Sequence, residues 1–217
     1  MRGPGVEIRV GPRILYGDQN QDPRIWCVSK ALLSYHSGLF KVALSGPQAQ
    51  STLVIDDDHD TFDLFYEYML RGLYTWRDNL RVHDGIRGSA KAWALGANLQ
   101  VPKFQNLAMT NLHNIYKPAN RPRPMSGIGP VSMEWICESF VPGEKLYDFF
   151  RDVLVTYWSD HSVVCHGPQF KAEWDALFKT YPSLSQDLIN RLSEPGNQIK
   201  GLHEYLIPEE SEDVGEE

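Results

Sequence analysis

Val6, Ile8 and Val10 alternate with Glu7 and Arg9. A period of two marks a strand with one buried face. IWCVS at 25–29 is compact and β-prone and predicts a second strand, and STLVID at 51–56 predicts a third. Between them, KALLSYHSGLFKVALSG predicts two short helices, broken near Ser37-Gly38 and ended by Gly46-Pro47. The period then lengthens. Phe62, Phe65, Tyr66, Met69, Leu70 and Leu73 follow the i, i+3, i+4, i+7 spacing of one buried helical stripe. Asp63, Glu67 and Arg71 fall on another face, with Glu67 and Arg71 at ion-pair spacing. YTWRDNLRVHDG, 74–85, reads as a connection with room for a short strand. Ile86, Ala90, Trp93, Ala94 and Ala97 form a further stripe, rich in small residues that favour close approach. Pro102 opens another helix, with Phe104, Leu107, Ala108, Leu112 and Ile115 as its buried face.

KPANRPRPMSGIGP, 117–130, carries four prolines and two glycines and is the clearest linker in the chain. Beyond it, VSMEWICESF and EKLYDFFRDVLVTYW predict helices, the second with Leu146, Phe149, Phe150, Val153 and Tyr157 on a wide apolar face. FKAEWDALFKTYPSLSQDLINRL predicts two more, separated at Pro182. PEESEDVGEE is an acidic tail, expected to be disordered. The fold class is α+β. The expected organisation is a small sheet flanked by helices over 1–118, a linker over 119–130, a helical extension over 131–207 and the tail over 208–217.

Composition narrows the function classes. The 217 residues are 42% hydrophobic and 12% aromatic, enough to bury a substantial core, and carry a net charge of −7. A chain this acidic makes a poor ligand for a phosphate backbone, so no nucleic-acid partner is expected. Lys117, Arg121 and Arg123 are a small basic group better read as a solvated linker. Three isolated cysteines, Cys27, Cys137 and Cys165, fit a reducing compartment. No apolar run has membrane-spanning length and the start lacks a signal-peptide core, so cytosol or nucleus is expected, without a membrane partner.

Candidate chemistry concentrates in two places. DDDHD at 56–60 sets four aspartates beside His59, and carboxylates and imidazole are groups that divalent metals accept. The segment also lies where a strand gives way to a helix. There, carboxylates accept hydrogen bonds from the unpaired N–H groups of the first turn and favour the positive end of the dipole. Asp58 is the expected N-cap and Asp60 lies in the first turn; an EF-hand would need a mid-loop Gly and a terminal Glu. Capping is preferred, so no tightly bound metal is expected. DHSVVCH at 160–166 holds Asp160, His161, Cys165 and His166, which invites a Cys–His nucleophile or a zinc site. His161 and Cys165 would share a face on a helix. With no oxyanion motif or fourth ligand at a recognisable spacing, a loop with Cys165 as a small apolar filler is preferred. Trp93 and Trp174 fall on apolar stripes and are read as core. No Gly-rich phosphate loop opens a helix.

The order strand, VSKALLSYHSGLF, strand, acidic turn, FDLFYEYMLRGLYT and AKAWALGANLQVPKFQNLAMTNL resembles the BTB/POZ domain over roughly 6–116. That family has a V-H-K-x-x-L-x-x-x-S-x-x-F segment, and Val28, Lys30, Leu33, Ser37 and Phe40 keep its spacing. ALGANLQVPKFQNLAM is similar in pattern to its A-D-K-Y-x-[VM]-x-x-L helix pair. Ser29 stands where the family has His, and Gly5 where many members have Asp. The short chain is similar to the BTB/POZ proteins common in fungi, which carry a helical extension and no kelch or zinc-finger domain.

The resemblance implies a non-catalytic interaction module, with no catalytic, metal-binding or cofactor-binding residue and no cofactor. Its members dimerise or act as adaptors on the cullin scaffold of ubiquitin ligases. Ala31, Leu32 and Tyr35 correspond to a region that BTB/POZ dimers use. Gly5 and the few residues before Val6 remove two features of the usual dimer, so a weak homodimer or a monomer is expected. Adaptor members place a hydrophobe-x-Glu motif with nearby aromatics after the helix that follows the third strand. The corresponding contact here would use Tyr74, Trp76, Val82 and Asp84, with Val82-His83-Asp84 as the nearest match to the motif. Two other readings stand beside the adaptor: a self-assembly scaffold that binds no cullin, and a hydrolase or metal enzyme using the 160–166 cluster.

Overall fold

β1 (Gly5–Val10) follows its alternation: Val6, Ile8 and Val10 are buried, while Glu7 and Arg9 pair on the wet face at 2.6 Å. β1 is the centre of a three-stranded sheet. It runs antiparallel to β2 (Arg24–Ser29), with Val6 opposite Val28 and Ile8 opposite Trp26. It runs parallel to β3 (Thr52–Ile55), with Ile8 opposite Leu53. This computed structural model describes residues 5–11, 23–47, 49–75, 86–116, 127–193 and 198–209.

Between β2 and β3 lie α1 (Lys30–His36) and α2 (Gly38–Ala43), broken at Ser37 as expected. After β3 come α3 (His59–Arg71), α4 (Gly88–Asn98) and α5 (Pro102–Tyr116). They are followed by α6 (Pro130–Ser139), α7 (Lys145–Tyr157), α8 (Lys171–Thr180) and α9 (Pro182–Leu192). A small mixed sheet with most of the helices following its last strand makes this an α+β protein. Among the described residues no helix is long and apolar enough to cross a membrane.

The chain divides into two compact units: Met1–Trp76 with Lys91–Leu107 and Pro208–Glu217, and Arg77–Ala90 with Ala108–Ile207. α5 is therefore shared, its residues from Ala108 on grouping with the second unit. Of the stretch assigned to a linker, 117–126 lies outside the described residues. Its end is ordered: Ile128 forms a parallel bridge with Val164, and Pro130 opens α6. Pro208 and Glu209, expected in a disordered tail, instead belong to the first unit, where Asn106 Nδ2 donates to Glu209 Oε1 at 3.0 Å. Residues 210–217 lie outside the described residues.

The first unit's core is aromatic. Phe104 meets Phe65, Tyr68 and Tyr74 at ring-centroid distances of 5.3, 5.1 and 5.5 Å. The stripe of α3 differs from its expectation: Phe62, Phe65, Tyr68 and Met69 are buried, whereas Leu70 and Leu73 are exposed. Tyr68 turns the buried face toward Phe104, which carries Leu70 off it. Leu73 lies beyond Gly72, the left-handed C-cap at φ 72°, where helical phase ends. In α4, Ala92 and Leu95 are buried where Ala94 and Ala97 were expected, and Leu99, just past the helix, is buried as well.

The second unit is helical. Phe149 packs edge-on to Phe150 at 5.7 Å and to Tyr205 at 5.1 Å. Phe149, Phe150 and Val153 are buried, as their spacing predicts. Asp152 on α7 is also buried. Its carboxylate accepts hydrogen bonds from Arg191 at 2.7 Å and the Tyr205 hydroxyl at 2.8 Å, and pairs with Arg151 at 3.3 Å. The Tyr205 hydroxyl in turn accepts from Lys200 N–H at 3.1 Å. One carboxylate thus ties α9 and the 200–205 segment to α7.

Candidate functional site

The acidic turn before α3 is a helix cap. Asp58 Oδ1 accepts from Thr61 N–H at 2.8 Å and Oδ2 from the Thr61 hydroxyl at 2.7 Å, and Lys91 Nζ lies 3.1 Å from the same Oδ2. Burial pushes its pKa up, but the Thr61 hydrogen bonds and the Lys91 charge outweigh this and hold it below the ordinary value. Among the described residues Asp57 accepts from the N–H of Asp58, at 2.8 Å; chiefly through burial, its pKa is pushed up to about 6. Burial wins at Asp57, while the Thr61 hydrogen bonds and Lys91 win at Asp58, so two adjacent aspartates shift in opposite directions. His59 Nε2 faces Arg24 N–H at 3.4 Å, away from a shared ligand set. Among the described residues, no group of three His, Cys, Asp or Glu side chains has metal-site geometry.

The 160–166 segment is a turn with an isolated bridge, not a helix, so His161 and Cys165 do not share a helical face. Cys165 N–H donates to Ile128 C=O at 2.9 Å, and its carbonyl accepts from Trp174 Nε1 at 2.8 Å. Burial pushes its thiol pKa up, the opposite of what activates a nucleophilic thiolate. His166 faces the Trp158 carbonyl and packs on the Trp158 ring. The arrangement is that of a packed turn.

The residues expected for self-association lie on one short helix. Ala31 is exposed, Leu32 half-buried, and Tyr35 79% exposed. Leu39 and Val42 on α2 are exposed as well. Of the residues expected at a cullin contact, Tyr74 is 5% exposed and its ring is spent on Phe104, so it offers little surface. Trp76, Val82 and Asp84 lie outside the described residues.

The sequence gives no hint of a cavity of about 540 Å³ in the first unit, where α1 meets α2 and α4 turns into α5. This is the size range of small-molecule and peptide sites. Ser37 builds it. Its hydroxyl caps α2 by accepting from Phe40 N–H at 3.1 Å and donates to Leu99 C=O at 2.6 Å. Gly38 then lies so close to Gln100 that a Cβ there would meet Gln100 Oε1 at 2.9 Å. Gln100 itself holds the left-handed conformation, φ 56°, which most non-glycine residues avoid. Tyr35, His36, Tyr68, Lys103 and Glu209 supply the cavity's aromatic and charged groups. His36 is held below its ordinary pKa, first by burial, and is therefore neutral at pH 7. Tyr68 is held above its own, also by burial.

Neither the cavity nor Asp152 was evident from sequence. Tyr68 falls outside the i, i+3, i+4 stripe as first drawn, and Gln100 is an ordinary polar residue until its backbone angle is known. Asp152 carried one usable signal: a lone acid inside the apolar run FFRDVLV must find partners if that run is buried. Compared with models of protein families and with curated proteins, the chain matches none.

Proposed function

We propose that this chain is a non-catalytic protein–protein interaction module of BTB/POZ type. The observation that carries the reading is the order β1, β2, α1, α2, β3, α3, α4, α5, joined to what the shared motif positions do. Val28, Leu33, Ser37 and Phe40 are all buried. Ser37 joins the α1–α2 break to the α4–α5 turn through Leu99. A spacing in which every member but Lys30 serves the core or a cap is a folding constraint, which is why it supports a fold resemblance. Function follows from the family's repertoire: adaptor to a cullin, or self-assembly.

A specific observation favours self-assembly as the second reading. Tyr35, Leu39 and Val42 present apolar surface on α1 and α2, whereas Tyr74 is withdrawn from any cullin contact. Co-purification with the organism's own cullin, paired with light scattering, separates the two. Binding at micromolar concentration, lost in Val82→Ala/Asp84→Ala with the thermal midpoint unchanged, supports the adaptor. No cullin binding together with a concentration-dependent dimer that Tyr35→Glu disrupts supports the scaffold. A monomer that binds no cullin removes both.

A further inference from the structure

In the second unit, α6 and α8 enclose a groove with a cavity of about 170 Å³. Pro130 and Val131 from α6 and Ala176 and Leu177 from α8 give it an apolar lining. Val131 is 50% exposed, so part of that lining faces solvent. Both walls are anchored to one bridge. Ile128, just ahead of α6, donates to Val163 C=O at 2.6 Å and accepts from Cys165 N–H at 2.9 Å. The Cys165 carbonyl in turn accepts from Trp174 Nε1 of α8 at 2.8 Å. The 160–166 turn, without chemistry of its own, thus holds the two helices that form the groove. A preformed groove loses little freedom when it is filled.

Glu134 on α6 and Glu173 on α8 line the same groove from its two walls, and both are exposed. Among the described residues neither has an ion-pair or hydrogen-bond partner. Glu138, one turn beyond Glu134, extends the negative field, and the charges of both act on Cys137 and Tyr181. Two carboxylates on either side of an apolar lining favour a side chain with an apolar stem and a cationic head. The size sets the scale of the occupant. Small-molecule sites run from roughly 300 to 1,000 Å³, so this groove takes one long side chain and no metabolite. Arginine fits better than lysine. Its planar fork has donors on several edges and can serve two carboxylates at once, whereas an ammonium is a strongly hydrated point charge. With a net charge of −7, the chain is a poor source of a basic segment for its own copies, which favours a different, basic protein.

We propose that the groove between α6 and α8 is a docking site for an arginine carried on a basic segment of a partner protein. The aliphatic stem lies on Val131, Ala176 and Leu177, and the guanidinium is held between Glu134 and Glu173. The apolar lining supplies the contact area and the paired carboxylates supply the choice of residue. This assignment does not rest on the BTB/POZ reading, since the site lies wholly in the helical second unit.

The test titrates the synthetic peptide Ac-GAARAAG-NH2 into the full chain and follows isotope-labelled Val, Leu and Ala methyl groups by NMR. Shifts should concentrate on Val131, Ala176 and Leu177 and saturate in the millimolar range or below. Citrulline in place of the arginine keeps the shape and removes the charge, and should abolish them. Glu134→Gln and Glu173→Gln should each weaken binding about threefold or more. Asp175→Asn makes the same charge change at an exposed position of α8 outside the groove, and should leave binding unchanged. Both glutamates are exposed, so their variants should keep the thermal midpoint of the natural chain. No shift at the groove methyls with millimolar peptide, equal binding of the citrulline peptide, or an equal loss with Asp175→Asn overturns the proposal. Roughly tenfold tighter binding to the chain with Lys117→Gln, Arg121→Gln and Arg123→Gln would show that the chain's own basic residues compete, and would overturn the assignment to a partner. Light scattering that finds a dimer of the natural chain, lost with Glu134→Gln and Glu173→Gln together, overturns that assignment as well and gives the groove to a second copy.

Discussion

Asp58 in the first unit and Asp152 in the second are both ion-paired aspartates, and their surroundings make them different devices. Asp58 lies in a dense acidic turn, half-exposed, and serves one helix end through Thr61 and Lys91. Asp152 is alone in an apolar stretch, 2% exposed, and holds Arg191, Arg151 and Tyr205 at once. The conspicuous cluster caps one helix and adds a half-exposed pair to Lys91 on α4, while the isolated residue, fully buried, gathers several partners at once. Acid density in a sequence reflects tolerance of solvent. A single acid in an apolar run signals a buried partner set, because an unpaired buried charge is too costly to keep.

The largest effect expected from this contrast is at Asp152. Asp152→Ala strands Arg191 and the Tyr205 hydroxyl, and should cost about 3–5 kcal/mol in urea unfolding. A loss near 1 kcal/mol would mean that water replaces the carboxylate easily and that the two aspartates differ less than their burial suggests.

Phe150→Ala, two residues away on α7, should cost about 3–5 kcal/mol through the cavity it leaves. It separates charge from packing as the source of α7's importance. If Phe150→Ala is mild while Asp152→Ala is severe, the helix is held mainly by its polar partners.

Asp58→Ala removes the cap of α3 and should cost about 1 kcal/mol. Because the folded pKa of Asp58 lies below its ordinary value, its contribution is present at neutral pH. It disappears as pH falls through that folded value, so the variant and the natural chain should converge in acid. Calorimetry with calcium, zinc and magnesium should give no micromolar stoichiometric signal that depends on Asp57 and Asp58.

The smallest effect has the opposite sign. Asp57, with a folded pKa of about 6, holds its proton more tightly in the folded chain than in the unfolded one. Stability therefore falls as pH rises from roughly 4 through 6. Burial is the main cause, with Asp58 and Asp56 adding repulsion and Lys91 opposing it. Asp57→Asn keeps an acceptor for Asp58 N–H and removes the charge, so it should stabilise by about 1 kcal/mol at pH 7 after solvent screening. The gain should vanish near pH 4. A destabilised Asn variant at pH 7 would show that the hydrogen bond needs the full carboxylate.

Local signals carried much of the architecture. The alternation in VEIRV, the break at Ser37-Gly38, the N-cap at Asp58 and the restarts at Pro102 and Pro182 depend on a few neighbouring residues, and each stands where expected. The stripes were less legible. The spacing from Phe62 favours Tyr66, yet Tyr68 is the one buried, packed on Phe104, 36 residues further along. Tyr74 is aromatic and lies in a connection, which suits a surface contact until the same phenylalanine buries it.

The sequence by itself determined the strand and helix order, the caps, and which segments are apolar enough to be core. Those properties follow from period, turn chemistry and side-chain type over short stretches. Tertiary structure alone decided that Asp152 gathers its partners from α9 and the 200–205 segment. It alone decided that Gly38 and Gln100 touch, and that Tyr68 opens onto a cavity to which Pro208 and Glu209 return. Each of these unites residues dozens of positions apart. Such pairings are set by how faces pack in three dimensions, for which a linear pattern holds no coordinate.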